Sequence, residues 1–100
     1  MRRTAGANIH AQLEHLQALT QAAVDEELAL GPAWIADASL EALGKIRVLR
    51  ATAGIDLALL PKGADLRTHL GADWVDLHDT VYDLVDQISK TLYAMQVGAG

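Results

Sequence analysis

The sequence predicts an all-α fold: a small antiparallel bundle of three to four helices, with the longest helix at the C-terminus. Three observations predict it. Alanine and leucine fill about a third of the chain, phenylalanine is absent and β-branched residues are few, which is a composition that favours helices. Apolar residues recur at three- and four-residue spacing along most of the chain. No segment has the strict apolar–polar alternation that predicts a strand.

The first predicted helix covers residues 8–30. Its apolar side chains fall on one face at helical spacing, and polar residues occupy the opposite face. The apolar residues are Ile9, Leu13, Leu16, Ala23 and Leu28. Asn8 can cap the first turn, and Gly31-Pro32 predicts the end of the helix because proline cannot continue it.

The second predicted helix covers residues 39–53 and is followed by a loop. Ser39 can act as its N-cap, and Gly54 predicts its end. The apolar face consists of Leu40, Leu43, Ile46, Leu49 and Ala53. Residues 54–72 are expected to form a loop with a short helical turn, because Pro61-Lys62-Gly63 is a strong loop signal.

The last predicted helix covers residues 73–96 and is the longest. Asp73 can cap it, and apolar residues then recur along one seam for about six turns. The seam contains Trp74, Leu77, Val81, Leu84, Ile88, Leu92 and Met95. It is long enough to extend past a small three-helix core, so it predicts a homodimer or a hetero-oligomer that pairs through this seam.

Composition and charge exclude several classes of function. The length suits a single domain, and the lack of cysteine excludes disulfides, thiolate catalysis and cysteine-ligated metals. The net charge of −5 disfavours a nucleic-acid partner. No apolar run reaches the roughly 20 residues of a membrane span, so no membrane partner is expected. The basic start, Met1 to Thr4, lacks a following apolar signal segment, and we expect a cytoplasmic location.

Five aspartates on the last predicted helix define what we call the acidic surface. They are Asp73, Asp76, Asp79, Asp83 and Asp86. No lysine or arginine lies between Thr68 and Ser89, so these charges are uncompensated in the sequence. Clustered carboxylates attract a basic protein partner, and an exposed Trp74 beside them would add a binding hot spot. The alternative is a solvated face of an acidic helix.

Two runs of sequence resemble the acyl carrier protein family. They are Ala53-Gly54-Ile55-Asp56 and the stretch from Ala64 to Leu77, which includes Leu70-Gly71-Ala72-Asp73. The resemblance covers residues 40–88 and implies a helix ending near Gly54, a long loop, and an acidic helix that meets basic partner enzymes. Trp74 occupies the position of the family's phosphopantetheine serine and cannot carry the phosphodiester. The family's two C-terminal helices have no counterpart here.

Ser39 is the candidate phosphopantetheine attachment site in a second alignment. The run from Ser39 to Leu43 is similar to the residues that follow a carrier serine, and its distance from Gly54 is similar to that in peptidyl carriers. Asp37 stands one place earlier than the family's pattern requires. A helix N-cap is the alternative role for this serine.

The four histidines are candidate metal ligands and candidate acid–base groups. They are His10, His15, His69 and His78. His69 lies one helical turn before Asp73, which would suit a nitrogen–oxygen metal site or a proton-transfer pair. No His-x-x-x-His or Glu-x-x-His pair exists, so neither a metal site nor a catalytic residue is predicted.

Taken together, the sequence predicts a non-catalytic, carrier-like interaction module that docks a basic protein partner through the acidic surface. One alternative is a working acyl or peptidyl carrier modified on Ser39, for which phosphopantetheine would be the cofactor. The other is a small helical enzyme or metal-binding bundle with histidine and aspartate ligands.

Overall fold

A computed structural model of the chain describes the backbone of residues 2–98 and the side chains of residues 8–98. Within this range the chain forms five α-helices, two short 3-10 helices and no strand, which confirms the all-α prediction. The helices are α1 (Arg2–Leu30), α2 (Ala33–Ile55), α3 (Leu66–Leu70), α4 (Ala72–Leu77) and α5 (Asp79–Gly98), with 3-10 turns at Leu57–Leu59 and Gly63–Asp65.

The connection between α1 and α2 is only two residues long. Helix α2 begins at Ala33, six residues before the predicted start at Ser39. Pro32 has φ −66° and ψ 146°, and its carbonyl oxygen accepts the amides of Ile35 and Ala36 at 3.1 and 3.3 Å. Because proline's fixed φ suits the start of a helix, Pro32 ends one helix and begins the next.

The predicted C-terminal helix is broken at His78, so the longest helix is α1 with 29 residues. The backbone of His78 is extended, with φ −124° and ψ 104°, and its amide donates to the Val75 carbonyl. An uninterrupted helix would direct this amide to the carbonyl of Trp74. The imidazole Nδ1 of His78 lies 3.1 Å from that oxygen instead, so the side chain takes over the backbone hydrogen bond.

The apolar seam of the last two helices is used inside the chain. Helix α1 packs against both α2 and α5. The seam residues Trp74, Val81, Leu84, Ile88 and Leu92 are all buried in the resulting core. Because these five side chains are already buried within the chain, they are not exposed for pairing with a second chain, and a homodimer or hetero-oligomer stays a prediction.

Polar contacts fix how α1 lies along α2. The guanidinium of Arg50 donates to the Gln17 side chain at 2.9 Å, and Arg47 donates to Gln21 at 3.4 Å. Arg50 also lies 3.7 Å from the carboxylate of Glu14. The arginine later in α2 thus contacts residues that lie earlier in α1.

The predicted loop docks onto α5 at Gly63. The amide of Gly63 donates to the Gln96 side-chain oxygen at 3.1 Å, and the Gln96 amide donates to the Pro61 carbonyl at 2.8 Å. A Cβ atom at Gly63 would overlap the carbonyl oxygen of Ser89 and lie 3.1 Å from the Tyr93 nitrogen. The backbones of the turn and of α5 are therefore too close for any side chain at this position.

Membrane insertion can be judged from the helices directly. Among residues 2–98, no helix combines the length and the apolar character that crossing a bilayer requires.

We expect Gly63→Ala to lower the free energy of unfolding by about 1–3 kcal/mol, because the added methyl group overlaps backbone atoms that cannot rotate away. Gly54→Ala is the matched control, since nothing lies within 4 Å of a Cβ there and alanine favours a helix. Urea unfolding followed by circular dichroism checks both variants. Equal stability of the two would contradict the packing of this turn on α5.

Candidate functional site

All five aspartates of the acidic surface are exposed, but the break at His78 divides them. Asp73 and Asp76 lie on α4, whereas Asp79, Asp83 and Asp86 lie on α5. The predicted continuous stripe is therefore two shorter groups on separate helices. Asp73 has no side-chain hydrogen bond as a cap, because Gly71 and not Asp73 occupies the N-cap position of α4.

Two of the five carboxylates are neutralised by basic side chains. Arg67 binds Asp76 through both oxygens, with Nε 2.9 Å from Oδ1 and Nη2 on Oδ2. The hydrogen bond from Arg67 lowers the pKa of Asp76 and raises the pKa of the guanidinium. Asp86 lies 3.0 Å from the Lys90 ammonium one turn later on α5. Sequence reasoning missed Arg67 because it lies nine residues before its partner.

The other three carboxylates are exposed and unpaired among the described side chains. Asp73, Asp79 and Asp83 form no ion pair with any side chain in residues 8–98. Asp73 lines a cavity of about 280 Å³ together with Lys45. Asp83 lines one of about 240 Å³ together with His15 of α1. These three side chains carry the uncompensated charge of the acidic surface.

Trp74 lies in the core and not on the acidic surface. Its side chain is only 3% exposed, and its indole Nε1 donates to the Ser39 hydroxyl at 2.6 Å. The structure therefore does not place this ring where a partner could reach it. Its role is structural, because a buried indole N–H needs an acceptor and Ser39 supplies one.

Ser39 is fully buried in α2 and does not cap that helix. Its hydroxyl donates to the Glu27 carboxylate while it accepts from Trp74. A transferase must reach a serine hydroxyl before it can attach phosphopantetheine. This structure therefore gives no support to the prediction that Ser39 is an attachment site.

Glu27 and His78 complete what we call the polar network, which consists of Glu27, Ser39, Trp74 and His78. The Nε2 atom of His78 lies 2.6 Å from Oε2 of Glu27, and the two side chains are only 20% and 13% exposed. A carbonyl oxygen can only accept, so Nδ1 of His78 carries a proton towards Trp74. Both ring nitrogens of His78 therefore have a hydrogen-bond partner.

Sequence reasoning missed Glu27, although a signal for it exists. It closes the run Asp25-Glu26-Glu27 in the last turns of α1, where negative charge opposes the helix dipole. Three adjacent carboxylates there indicate that at least one has a partner elsewhere. That partner is 51 residues away in the sequence, which local patterns cannot reveal.

An apolar groove opens beside the polar network, at the end of the molecule where α1 meets α2. Its volume is about 350 Å³. Its apolar walls include Leu30, Pro32, Ile35 and Leu77, while Glu27 and His78 supply polar edges. The groove adjoins the acidic surface, because Asp79 directly follows His78 in the chain.

The groups of the polar network are held by hydrogen bonds to one another. The Ser39 hydroxyl is fully buried and donates to the Glu27 carboxylate. Among the described side chains, no three histidine, aspartate or glutamate residues converge to hold a metal ion. The arrangement instead joins three helices through satisfied hydrogen bonds.

We expect Ser39→Ala to lower the free energy of unfolding by about 1–3 kcal/mol, because it leaves the buried indole N–H of Trp74 without an acceptor. The same change in a Trp74→Phe background should cost about 1 kcal/mol less, which a double-mutant cycle measures. Thr20→Val is the control, since its buried hydroxyl bonds only to the Leu16 carbonyl within α1. Additive effects of the Ser39 and Trp74 changes would contradict the direct hydrogen bond.

The Arg67–Asp76 pair should make the free energy of unfolding depend on pH in the acidic range. The folded-state pKa of Asp76 lies below its unfolded value. Its stabilising contribution is therefore present above the unfolded pKa and is lost as the pH falls through the folded pKa. In an NMR titration we expect Arg67→Gln to raise the pKa of Asp76, whereas Arg50→Gln, on α2, leaves it unchanged. An unchanged pKa in Arg67→Gln would show that the pair does not persist in solution.

Comparison with known proteins leaves the carrier resemblance as a prediction. No protein-family model, curated protein or solved structure matches the chain. The resemblance therefore depends only on the sequence between residues 40 and 88. The functional interpretation depends on the geometry described above.

Proposed function

We propose that the chain is a non-catalytic helical interaction module that binds a basic protein partner through the acidic surface of α4 and α5. The observation that carries this proposal is the set of three exposed carboxylates, Asp73, Asp79 and Asp83, without an ion pair in residues 8–98. Asp76 and Asp86 contribute less, because Arg67 and Lys90 already offset their charges.

Electrostatics favours a partner of opposite charge. Carboxylates one turn apart on a helix repel each other by a few tenths of a kcal/mol, and Asp79 and Asp83 have this spacing. Lysine or arginine side chains of a partner would relieve this repulsion and would accelerate association at low salt. The proposal therefore implies affinity that falls as the salt concentration rises.

The groove beside the polar network indicates which kind of basic partner could bind. Leu77 and Leu30 are exposed and line this groove, and Asp79 follows Leu77 by two residues in the chain. A partner that combines basic residues with an apolar side chain would contact both surfaces at once. A basic amphipathic helix has this combination, since its apolar residues can enter a groove while its cations remain at the rim.

The same geometry supports an antiparallel bundle as part of the proposal. Arg47 and Arg50 of α2 contact Gln21 and Gln17 of α1 in reversed order. The two-residue connection at Gly31-Pro32 also suits neighbouring helices that run in opposite directions. A carrier-like ancestry and a cytoplasmic location remain predictions from the sequence.

We expect the triple variant Asp73→Asn, Asp79→Asn and Asp83→Asn to bind a synthetic lysine–leucine amphipathic helix about tenfold more weakly than the unchanged chain. Each exposed charge pair contributes about 0.2–1 kcal/mol, and three of them together give this change. Fluorescence anisotropy of the labelled peptide at low ionic strength measures the affinity.

The control for this experiment removes the same amount of charge elsewhere. Asp25→Asn, Asp37→Asn and Asp65→Asn change three exposed carboxylates that lie outside α4 and α5 and form no ion pair in residues 8–98. This variant should keep its affinity within about twofold of the unchanged chain, because these residues lie outside the acidic surface. Equal weakening of both variants would show that only the net charge attracts the peptide, and the proposal would fail.

A further inference from the structure

The outer face of α2 carries several exposed apolar residues that have no partner within residues 8–98, with the exposed carboxylate of Asp37 among them. We define this α2 outer face as Trp34, Leu40, Gly44, Val48, Ala51 and Ile55, all of which are exposed. The side chains of Trp34, Val48 and Ile55 are 61%, 64% and 82% exposed. They lie opposite the buried side of the same helix, which includes Ser39 and Ile46.

Helix α2 exposes large apolar side chains, beside Asp37 and Glu41, on the side opposite its buried residues. A helix with apolar residues all round is normally covered on all sides, whereas one that packs on a single neighbour has a polar outer face. Helix α5 follows the second pattern, with Asp79, Asp83 and Asp86 outside. Helix α2 does not, and contiguous exposed apolar surface usually marks an interface.

We propose that the α2 outer face binds the same face of a second copy of this chain, with the two α2 helices antiparallel. The charges of α2 support a second copy as the occupant. Asp37 and Glu41 lie in its first half, and Arg47 and the half-buried Lys45, which lies 3.5 Å from Glu41 of its own helix, follow in its second half. A two-fold axis places the first half of one helix along the second half of the other, so opposite charges meet.

An axis near Gly44 also matches the apolar residues in pairs. Leu40 lies four residues before Gly44, and Val48 lies four residues after it, so each Leu40 meets the partner's Val48. Trp34 at the start of α2 meets the partner's Ile55 at its end. The most exposed apolar side chains of the helix therefore cover one another.

Gly44 fits this arrangement because nothing in the described part of its own chain requires a glycine there. No heavy atom lies within 4 Å of a Cβ built at Gly44, and it occupies the middle of a long helix. Glycine costs about 1 kcal/mol relative to alanine in such a position. At a two-fold axis the missing side chain lets the two helix backbones approach closely.

The face favours a second copy over a partner of one charge sign. The acidic surface carries carboxylates that lack a basic partner, but the α2 outer face is flanked by both signs in separate halves. A uniformly basic or acidic partner would be attracted by one half and repelled by the other. This inference does not depend on the proposed binding of a basic partner.

A single engineered thiol tests the two-fold axis, because the chain contains no cysteine. The proposed close approach at Gly44 brings the two Cα atoms within the range that a disulfide can bridge. Gly44→Cys should therefore oxidise to a covalent dimer, as measured by intact mass without reductant. Ala94→Cys, an exposed position on α5, is the control and should stay monomeric. Equal cross-linking of the two variants, or none at Gly44, would overturn the proposal.

Sedimentation equilibrium of the unmodified chain provides the second measurement. We expect a dimer at micromolar concentration and a dissociation constant at least tenfold higher for Val48→Lys. Gln87→Lys adds the same charge at an exposed position of α5 and should leave the dimer unchanged. Circular dichroism verifies that each variant is folded. A monomer at about 100 µM, or equal weakening by the two lysine variants, would also overturn the proposal.

Discussion

The hydrogen bonds among Glu27, Ser39, Trp74 and His78 are the constraint on which the rest of the structure depends. They join α1, α2 and the break between α4 and α5 at one buried point. Each polar group in the network has a partner, so its burial does not leave an unpaired donor. Because a satisfied network is possible in one arrangement only, it fixes the relative positions of the helices more strictly than apolar packing does.

The network also determines the shape of the charged surface. The ring of His78 occupies the carbonyl of Trp74, and the chain consequently starts a new helix at Asp79. Asp76 then faces Arg67, whereas Asp83 faces the groove towards α1. The part-buried hydrogen bond of His78 thus lies at the point that divides the carboxylates, of which Asp76 is paired with Arg67 and Asp83 has no ion pair in residues 8–98.

The sequence predicts the parts of this fold that depend on local periodicity. Leu13, Leu16, Ile46 and Ile88 are assigned to apolar faces, and all of them are buried. Leu28 is assigned in the same way but is exposed, because it lies near the end of α1, where that helix leads into the connection to α2. Periodicity reports which side of a helix is apolar, and it cannot report where a neighbouring helix stops covering it.

In the predicted site, too, local patterns predict some features, whereas others depend on contacts between distant residues. The exposure of the five aspartates follows from helical spacing, but their division between two helices and the roles of Ser39 and Trp74 do not. Local rules predict a helix cap for Ser39 and a place on the apolar seam for Trp74. Their hydrogen bond spans 35 residues, and only the folded chain brings its atoms together. The polar network also explains why the apolar helix α2 presents one particular side to α1: Ser39 must reach Glu27, so the opposite side, with Val48, is left facing outwards.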